Sequence, residues 1–178
     1  MYDKYEGTRT LECLQEAFRK ESEARNKYTF FASKARKEGF VQIAELFEKT
    51  AGNEKEHAEI WYKEMCGIGT TADNLLIAAN EEYKEWSEIY EKYASIALAE
   101  GFEDLAVKFR EVGKIERTHE RIYRQYLRNV VMGSVFKRVD EVTWKCSNCG
   151  HIVVAKEAPL QCSVCEHPQG YFSVLSCG

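Results

Sequence analysis

The sequence predicts a mainly α protein: a bundle of four long helices followed by a small cysteine-rich β module. Three observations predict it. Both prolines, Pro159 and Pro168, lie in the last twenty residues, so everything before about Val131 is free to be helix. The phrase Glu54-Lys-Glu-His57 returns 62 residues later as Glu116-Arg-Thr-His119. Two Cys-x-x-Cys pairs, Cys146/Cys149 and Cys162/Cys165, stand twelve residues apart near the C-terminus.

Punctuation and period place the helices at roughly Thr8 to Glu38, Phe40 to Met65, Asn74 to Glu100 and Phe102 to Val131. Gly39 and Gly101 mark the C-terminal stops of the first and third. The polar stretch from Cys66 to Asp73 is the long connection, and Asp73 or Asn74 is the expected cap of the third helix. At an offset of 62, Glu38-Gly39-Phe40 matches Glu100-Gly101-Phe102, Tyr28 matches Tyr90, Ala44 matches Ala106 and Phe47 matches Phe109. An αα-hairpin used twice and joined by a crossover produces such a repeat. After Val131 the texture changes to a linker, turn residues and β-branched runs such as Ile152-Val153-Val154. The boundary is expected near Gly133, giving a helical domain over residues 1–132 and a module over 133–178 too small for a self-sufficient core without metal.

Charge and composition exclude several function classes. The net charge of -4 without a basic stripe argues against nucleic acid. No stretch approaches 18 apolar residues and the N-terminus has no apolar h-region, so a soluble, cytoplasmic protein with no membrane partner is expected. Seven cysteines, with Cys13, Cys66 and Cys177 isolated from the pairs, make a poor disulfide framework and fit thiols kept for metal in a reducing compartment. Cys13 and Cys66 read as ordinary buried or helix-end thiols, and His151 and His167 as exposed loop histidines.

The acids decide the chemistry. Each inward stripe of the four helices is apolar at one or both ends and interrupted by acids in its middle: Glu21 in the first, Glu54 with His57 in the second, Glu82 and Glu85 in the third, Glu116 with His119 in the fourth. A Glu-x-x-His pair aims a carboxylate and an imidazole in one direction. A lone pair reads as a surface contact, but two in repeated context with three further seam acids do not. Burying a carboxylate unpaired costs several kcal/mol, and five would exceed a typical stability of about 5–15 kcal/mol. Two divalent cations offset that, with oxygen and imidazole donors suited to iron, manganese or zinc. Glu82 competes with Glu81, since the gapless repeat aligns it with Lys20 rather than Glu21. Glu23, which aligns with Glu85, belongs to the polar stripe Glu16, Lys20, Glu23, Lys27. Tyr28 and Tyr90 occupy equivalent seam positions where a ligand carboxylate could accept from a buried phenol.

Cys146, Cys149, Cys162 and Cys165 read as a four-thiolate site for one metal; zinc ribbons use nearly the same spacing, but beside a di-iron site a redox-active iron is the better reading. With these motifs the chain resembles the rubrerythrins, a ferritin-like di-iron bundle followed by a rubredoxin-like domain, over nearly its whole length. The matching segments are Glu21-Ser-Glu-Ala-Arg-Asn26, Asn53-Glu-Lys-Glu-His57, Glu82-Tyr-Lys-Glu-Trp86, Glu116-Arg-Thr-His119 and Trp144-Lys-Cys-Ser-Asn-Cys-Gly150. The resemblance implies that Glu54 and Glu116 bridge two irons, that Glu21, Glu82 and His119 are terminal ligands, and that Glu85 and His57 alternate on one iron. It implies a peroxidase reducing hydrogen peroxide to water in oxidative stress defence, a homodimer, and electrons arriving from an external reductase or rubredoxin through the rubredoxin-like iron. A ferritin-type protein oxidising or storing iron with O2, and a bundle with a structural zinc ribbon as interaction module, are the alternatives. One departure stands out: the second knuckle, Cys162-Ser-Val-Cys165-Glu166, lacks the Pro after the first Cys and the Gly after the second that rubredoxin-like sites usually carry. A Gly there eases the knuckle backbone.

Overall fold

The computed structural model describes residues 4–65 and 67–175, so Cys66 and Cys177 lie outside the described residues. The chain forms two compact units, divided between Ile68 and Gly69. The first is a hairpin of α1 (Arg9–Lys37) and α2 (Val41–Met65). The second contains α3 (Thr71–Lys84), one π turn (Glu85–Ile89), α4 (Tyr90–Ala99) and α5 (Glu103–Val131). A three-stranded antiparallel sheet comes next, with β1 (Lys137–Cys146) between β2 (Ile152–Glu157) and β3 (Phe172–Val174).

The repeat is realised in the hairpin turns. Gly39 and Gly101 sit at φ 86° and 84°, a left-handed conformation that costs an L side chain about 1–2 kcal/mol and glycine almost nothing. Behind each, the Phe40 N–H donates to Ala35 O (2.9 Å) and the Phe102 N–H to Ala97 O (2.8 Å), closing both helices with the same wrapped end.

Three expectations are corrected. The third helix begins at Thr71, capped by Thr70, whose hydroxyl accepts from the Asp73 N–H while the Asp73 carboxylate accepts from the Thr70 N–H. Asp73 is therefore the reciprocal partner in a capping box, three residues past the cap, rather than the cap itself. Nor does that helix run unbroken to Glu100, because the π turn interrupts it. Cys13 is exposed on the second turn of α1, since it continues the polar stripe through Glu16, Lys20 and Glu23.

The hairpin cores differ from the stripes expected of large side chains. Apart from Met65 at the end of α2, the buried hydrophobic residues are alanines: Ala32, Ala35, Ala44, Ala51 and Ala58 in the first unit, Ala79, Ala94, Ala97 and Ala106 in the helices of the second. Small residues let paired helices approach closely. Ile43 and Leu105, whose 3-4 spacing from the acids of their own helices would place them on the inward stripes, remain exposed.

In the β module Trp144, Cys146, Ala158, Cys162 and Phe172 form the buried core, and the Trp144 Nε1–H donates to Ala155 O at 3.0 Å. Two knuckles repeat one pattern. The Cys146 N–H donates to His151 O and the Gly150 N–H to Cys146 O (2.8 and 2.9 Å); the Cys162 N–H donates to His167 O and the Glu166 N–H to Cys162 O, at the same two distances. Gly150 lies at φ 80° and Glu166 at φ 60°, so the acid takes the left-handed position that suits glycine. Contrary to expectation, His151 and His167 are half-buried; His167 packs edge-on against Tyr171, 4.4 Å between ring centres. Replacing Glu166 by Gly is expected to stabilise the module by up to about 1 kcal/mol, the left-handed cost less the greater backbone freedom of unfolded glycine. A raised thermal midpoint of the metal-loaded module checks this, and an unchanged or lowered one contradicts it.

Candidate metal centres

Each hairpin gathers two carboxylates and an imidazole. In the first, His57 Nδ1 lies 3.0 Å from Glu54 Oε2 and 3.8 Å from Glu21 Oε2. In the second, His119 Nδ1 lies 2.7 Å from Glu116 Oε2 and 3.7 Å from Glu82 Oε1. One ligand atom from each residue of a triad lies within 4.8 Å of the others. Glu54 and Glu116 are the least accessible members of the triads, their side chains 16% and 15% exposed, while both imidazoles remain open.

These distances identify Glu82, not Glu81, as the counterpart of Glu21 in the repeat; Glu81 is exposed. They also show that the repeat is not gapless. Seven residues separate Glu21 from Tyr28, but eight separate Glu82 from Tyr90. One inserted residue turns everything beyond it by about 100° on a regular α-helix. The π turn, in which the Tyr90 N–H donates to Glu85 O five residues back, holds one residue more and takes that rotation out. The aromatic contacts beyond it prove the phase is restored. Tyr28–Phe47, Phe31–Phe47 and Tyr28–Phe31 ring centres lie 6.1, 5.6 and 6.3 Å apart; Tyr90–Phe109, Tyr93–Phe109 and Tyr90–Tyr93 lie 6.2, 5.6 and 6.3 Å apart. Among the described residues no hydrogen bond joins the Tyr28 or Tyr90 hydroxyl to a carboxylate.

Glu85 lies outside the tight triad but within its field. Burial, then the charges of Glu116 and Glu81, raise its pKa. Burial, the shared proton with Glu116 and that residue's charge push Glu82 up to about 7, against the pull of His119. Glu21 is raised by its hydrogen bond to Glu54, by burial and by the Glu54 charge. Burial and the charges of Glu85, Glu116 and Glu82 raise Tyr90. Carboxylates this crowded hold protons where a divalent cation would otherwise sit, and the oxygen and imidazole donors suit iron, manganese or zinc. The residues fit the metal.

Sequence reasoning assigned no role to Glu120 or Trp86. The Trp86 Nε1–H donates to Glu120 Oε2 at 2.9 Å, and Glu120 also accepts from Arg124 Nε at 2.6 Å. The signal that could have found them is the change from Ala58 to Glu120 at the repeat offset.

At the other centre, Cys146 Sγ lies 3.7 Å from Cys165 Sγ and Cys149 Sγ 3.7 Å from Cys162 Sγ. A tetrahedron of sulfurs about 2.3 Å from a central ion has edges of about 3.8 Å, so the four thiols fit one metal and are not disulfides. The His167 backbone N–H draws the Cys165 thiol down to about 6. The His151 backbone N–H also favours the Cys149 thiolate, but the Cys165 thiol, burial and the other two thiols outweigh it and push Cys149 up to about 12. Four thiols sharing protons in this way are a set that a cation deprotonates.

Helical hairpins carrying paired Glu-x-x-His triads, followed by a tetrathiolate module, define an iron-carboxylate protein with a rubredoxin-like domain. The rubrerythrin family model matches residues 12–127, and the model of the rubrerythrin rubredoxin-like domain matches residues 144–173. A rubrerythrin of Porphyromonas gingivalis is 44% identical, over 98% of this chain and 94% of its own length. Rubrerythrin-1 of Clostridium acetobutylicum is 41% identical, over 96% of each. A solved structure of partially reduced nigerythrin, 30% identical, is covered over 86% of its chain and 93% of this one, at TM-score 0.36. The chain belongs to the rubrerythrin family. Its two triads are the candidate di-iron ligands and its four cysteines the rubredoxin-like site. No described helix is long and apolar enough to cross a membrane.

The crowding has a measurable sign. Glu82 keeps its proton in the fold up to about pH 7 but loses it near 4.5 when unfolded, so the metal-free protein is expected to lose stability as pH rises from 4.5 through 7. Glu21 and Glu85 shift the same way. Glu16, Glu23, Glu59 and Glu64 have lowered values and act below 4.5, a separate window. Urea midpoints measured in chelator across this range check it. Glu82→Gln should flatten the slope; a midpoint that climbs with pH overturns the account.

Proposed function

We propose that this chain is a non-haem di-iron peroxidase that reduces hydrogen peroxide to water, with electrons relayed through iron at Cys146, Cys149, Cys162 and Cys165. Residues 1–132 then carry the reaction and 133–178 the relay. The observation that supports this reading most is asymmetry: in the second hairpin the repeat-built ligand set has a further half-buried carboxylate, Glu85, within the field of Glu82 and Glu116. Iron held by Glu21, Glu54, His57, Glu82, Glu116 and His119 supplies the two electrons that one peroxide requires, and two protons complete two waters.

The chain's own residues handle the protons. Glu85, with its pKa raised by burial and the neighbouring acids, holds a proton on its carboxyl closer to neutral pH than an ordinary glutamate does. It is thus suited to deliver that proton to the oxygen that leaves as water. By the family pattern, His57, whose imidazole is exposed, would alternate with Glu85 as a ligand of bound iron. The alanine seams keep paired helices close and the donors in register. We assign the protein to the cytoplasm as a homodimer served by an external reductase or rubredoxin.

Anaerobically reduced protein mixed with peroxide or with O2 in a stopped-flow cell tests the reading. Oxidation by peroxide is expected to be the faster, and light scattering should report a dimer rather than a storage cage. Glu85→Ala should slow the peroxide reaction by on the order of 100-fold while iron content stays near native. Equal peroxide rates at full iron loading overturn the role of Glu85. The purified protein should be red and bleach with dithionite; a colourless protein at full metal content points to zinc on the thiolates.

A further inference from the structure

The repeat supplies a controlled comparison. Counted back from Tyr90 at the offset of 62 that holds beyond the π turn, Glu85 falls on Glu23 and Trp86 on Ala24, and Glu120 falls on Ala58; counted forward from Glu82, the counterpart of Glu21, Glu85 falls instead on the half-buried Ala24. In the first hairpin the helix is regular, and Glu23 points to solvent, paired with Arg19 and with Lys27 (3.1 Å). In the second the π turn opens, and Glu85 is half-buried within the field of Glu116 and Glu82.

A π turn is a less favourable local structure than the α-helix, and this one also buries the Ser87 hydroxyl without a hydrogen-bond partner, a further cost. Something must hold it. Trp86 is the second residue of the turn. Its Nε1–H donates to Glu120 on the facing helix, and Glu120 is itself fixed by Arg124, which reaches Asn80 at 3.4 Å. The Arg117 guanidinium lies 5.2 Å from the indole ring, and Tyr83 packs against it edge-on with centres 5.4 Å apart. The accepting carboxylate is charged and its side chain only 14% exposed, which makes the bond from Trp86 a strong one.

We infer that Trp86 and Glu120 are positioning residues: their hydrogen bond pins the π turn open and so turns Glu85 from a solvent stripe to the metal ligands. The inference rests on the reading of Glu85 as an iron ligand, and the experiment separates the two. Mössbauer spectra of the full-length protein loaded with 57Fe distinguish carboxylate-bound iron from the tetrathiolate iron. They are compared for the native protein, Glu85→Ala, Trp86→Phe, Glu120→Ala and Glu120→Gln in both oxidation states.

Trp86→Phe keeps a ring but loses the donor, and its carboxylate-bound iron is expected to shift to the Glu85→Ala pattern. Glu120→Ala should shift likewise, whereas Glu120→Gln, whose amide oxygen still accepts, should stay native. Should Trp86→Phe fail to fold, the contrast between Glu120→Ala and Glu120→Gln decides. If Glu85→Ala shifts the spectrum while Trp86→Phe and Glu120→Ala stay native, the clamp is overturned and the ligand role of Glu85 survives. If Glu85→Ala itself matches native protein in both states, the ligand role and the clamp fall together.

Discussion

Crowded carboxylates are the constraint on which this protein turns. Glu21 with Glu54, and Glu82 with Glu116, stand close enough to share protons, each pair beside one imidazole. Anions that close raise one another's cost of ionisation, and partial burial adds to it. Protons relieve the crowding at low pH and cations at neutral pH, so metal binding and folding become linked. The helices therefore do not merely display ligands. Their alanine seams and identical hairpin ends hold the acids together against repulsion, which is why those features recur at a fixed offset.

Duplication explains the likeness of the triads, and a single insertion explains their difference. Ring distances agree to within 0.1 Å between hairpins, as do the Glu21–His57 and Glu82–His119 separations, although one hairpin carries an extra residue between these markers. The extra residue is confined to one π turn. A local defect of that kind changes the neighbourhood of one carboxylate without disturbing the donors on either side. It is an economical way to give one half of a symmetric ligand set a group that the other half lacks.

Much of this was legible in the sequence, for physical reasons. Glycines at helix ends, the lack of proline before Val131 and the Glu-x-x-His and Cys-x-x-Cys spacings are local signals, and local signals survive without a fold. The strain at Glu166 was likewise visible as an acid where a glycine belongs. The π turn was not, because acids at positions 81, 82, 85 and 88 give a helix-period reading several equivalent phases. Only distances to Tyr90 and His119 reveal the slip. Nor could periodicity tell that alanine, rather than Ile43 or Leu105, fills the seam, since both lie within one apolar arc. Trp86 and Glu120 stayed silent because a tryptophan and a glutamate 34 residues apart announce no pairing until the helices bring them together.

The two metal centres differ in rigidity as much as in donor type. Four sulfurs held by knuckles with matched backbone bonds, over a core built on Trp144 and Phe172, already lie at the edge length a tetrahedral metal demands. Such a site has little to rearrange when its ion gains or loses one electron. Glutamates on long helices have several rotatable bonds, and one sits on a turn whose hydrogen bonding departs from the α pattern. Those donors can change partners as charge changes. For the peroxide reduction proposed above, a fixed cage would suit a one-electron relay, and movable carboxylates that already share protons would suit a two-electron reaction that consumes them. The division of the chain into a sulfur cage and a carboxylate cluster is what that proposal requires.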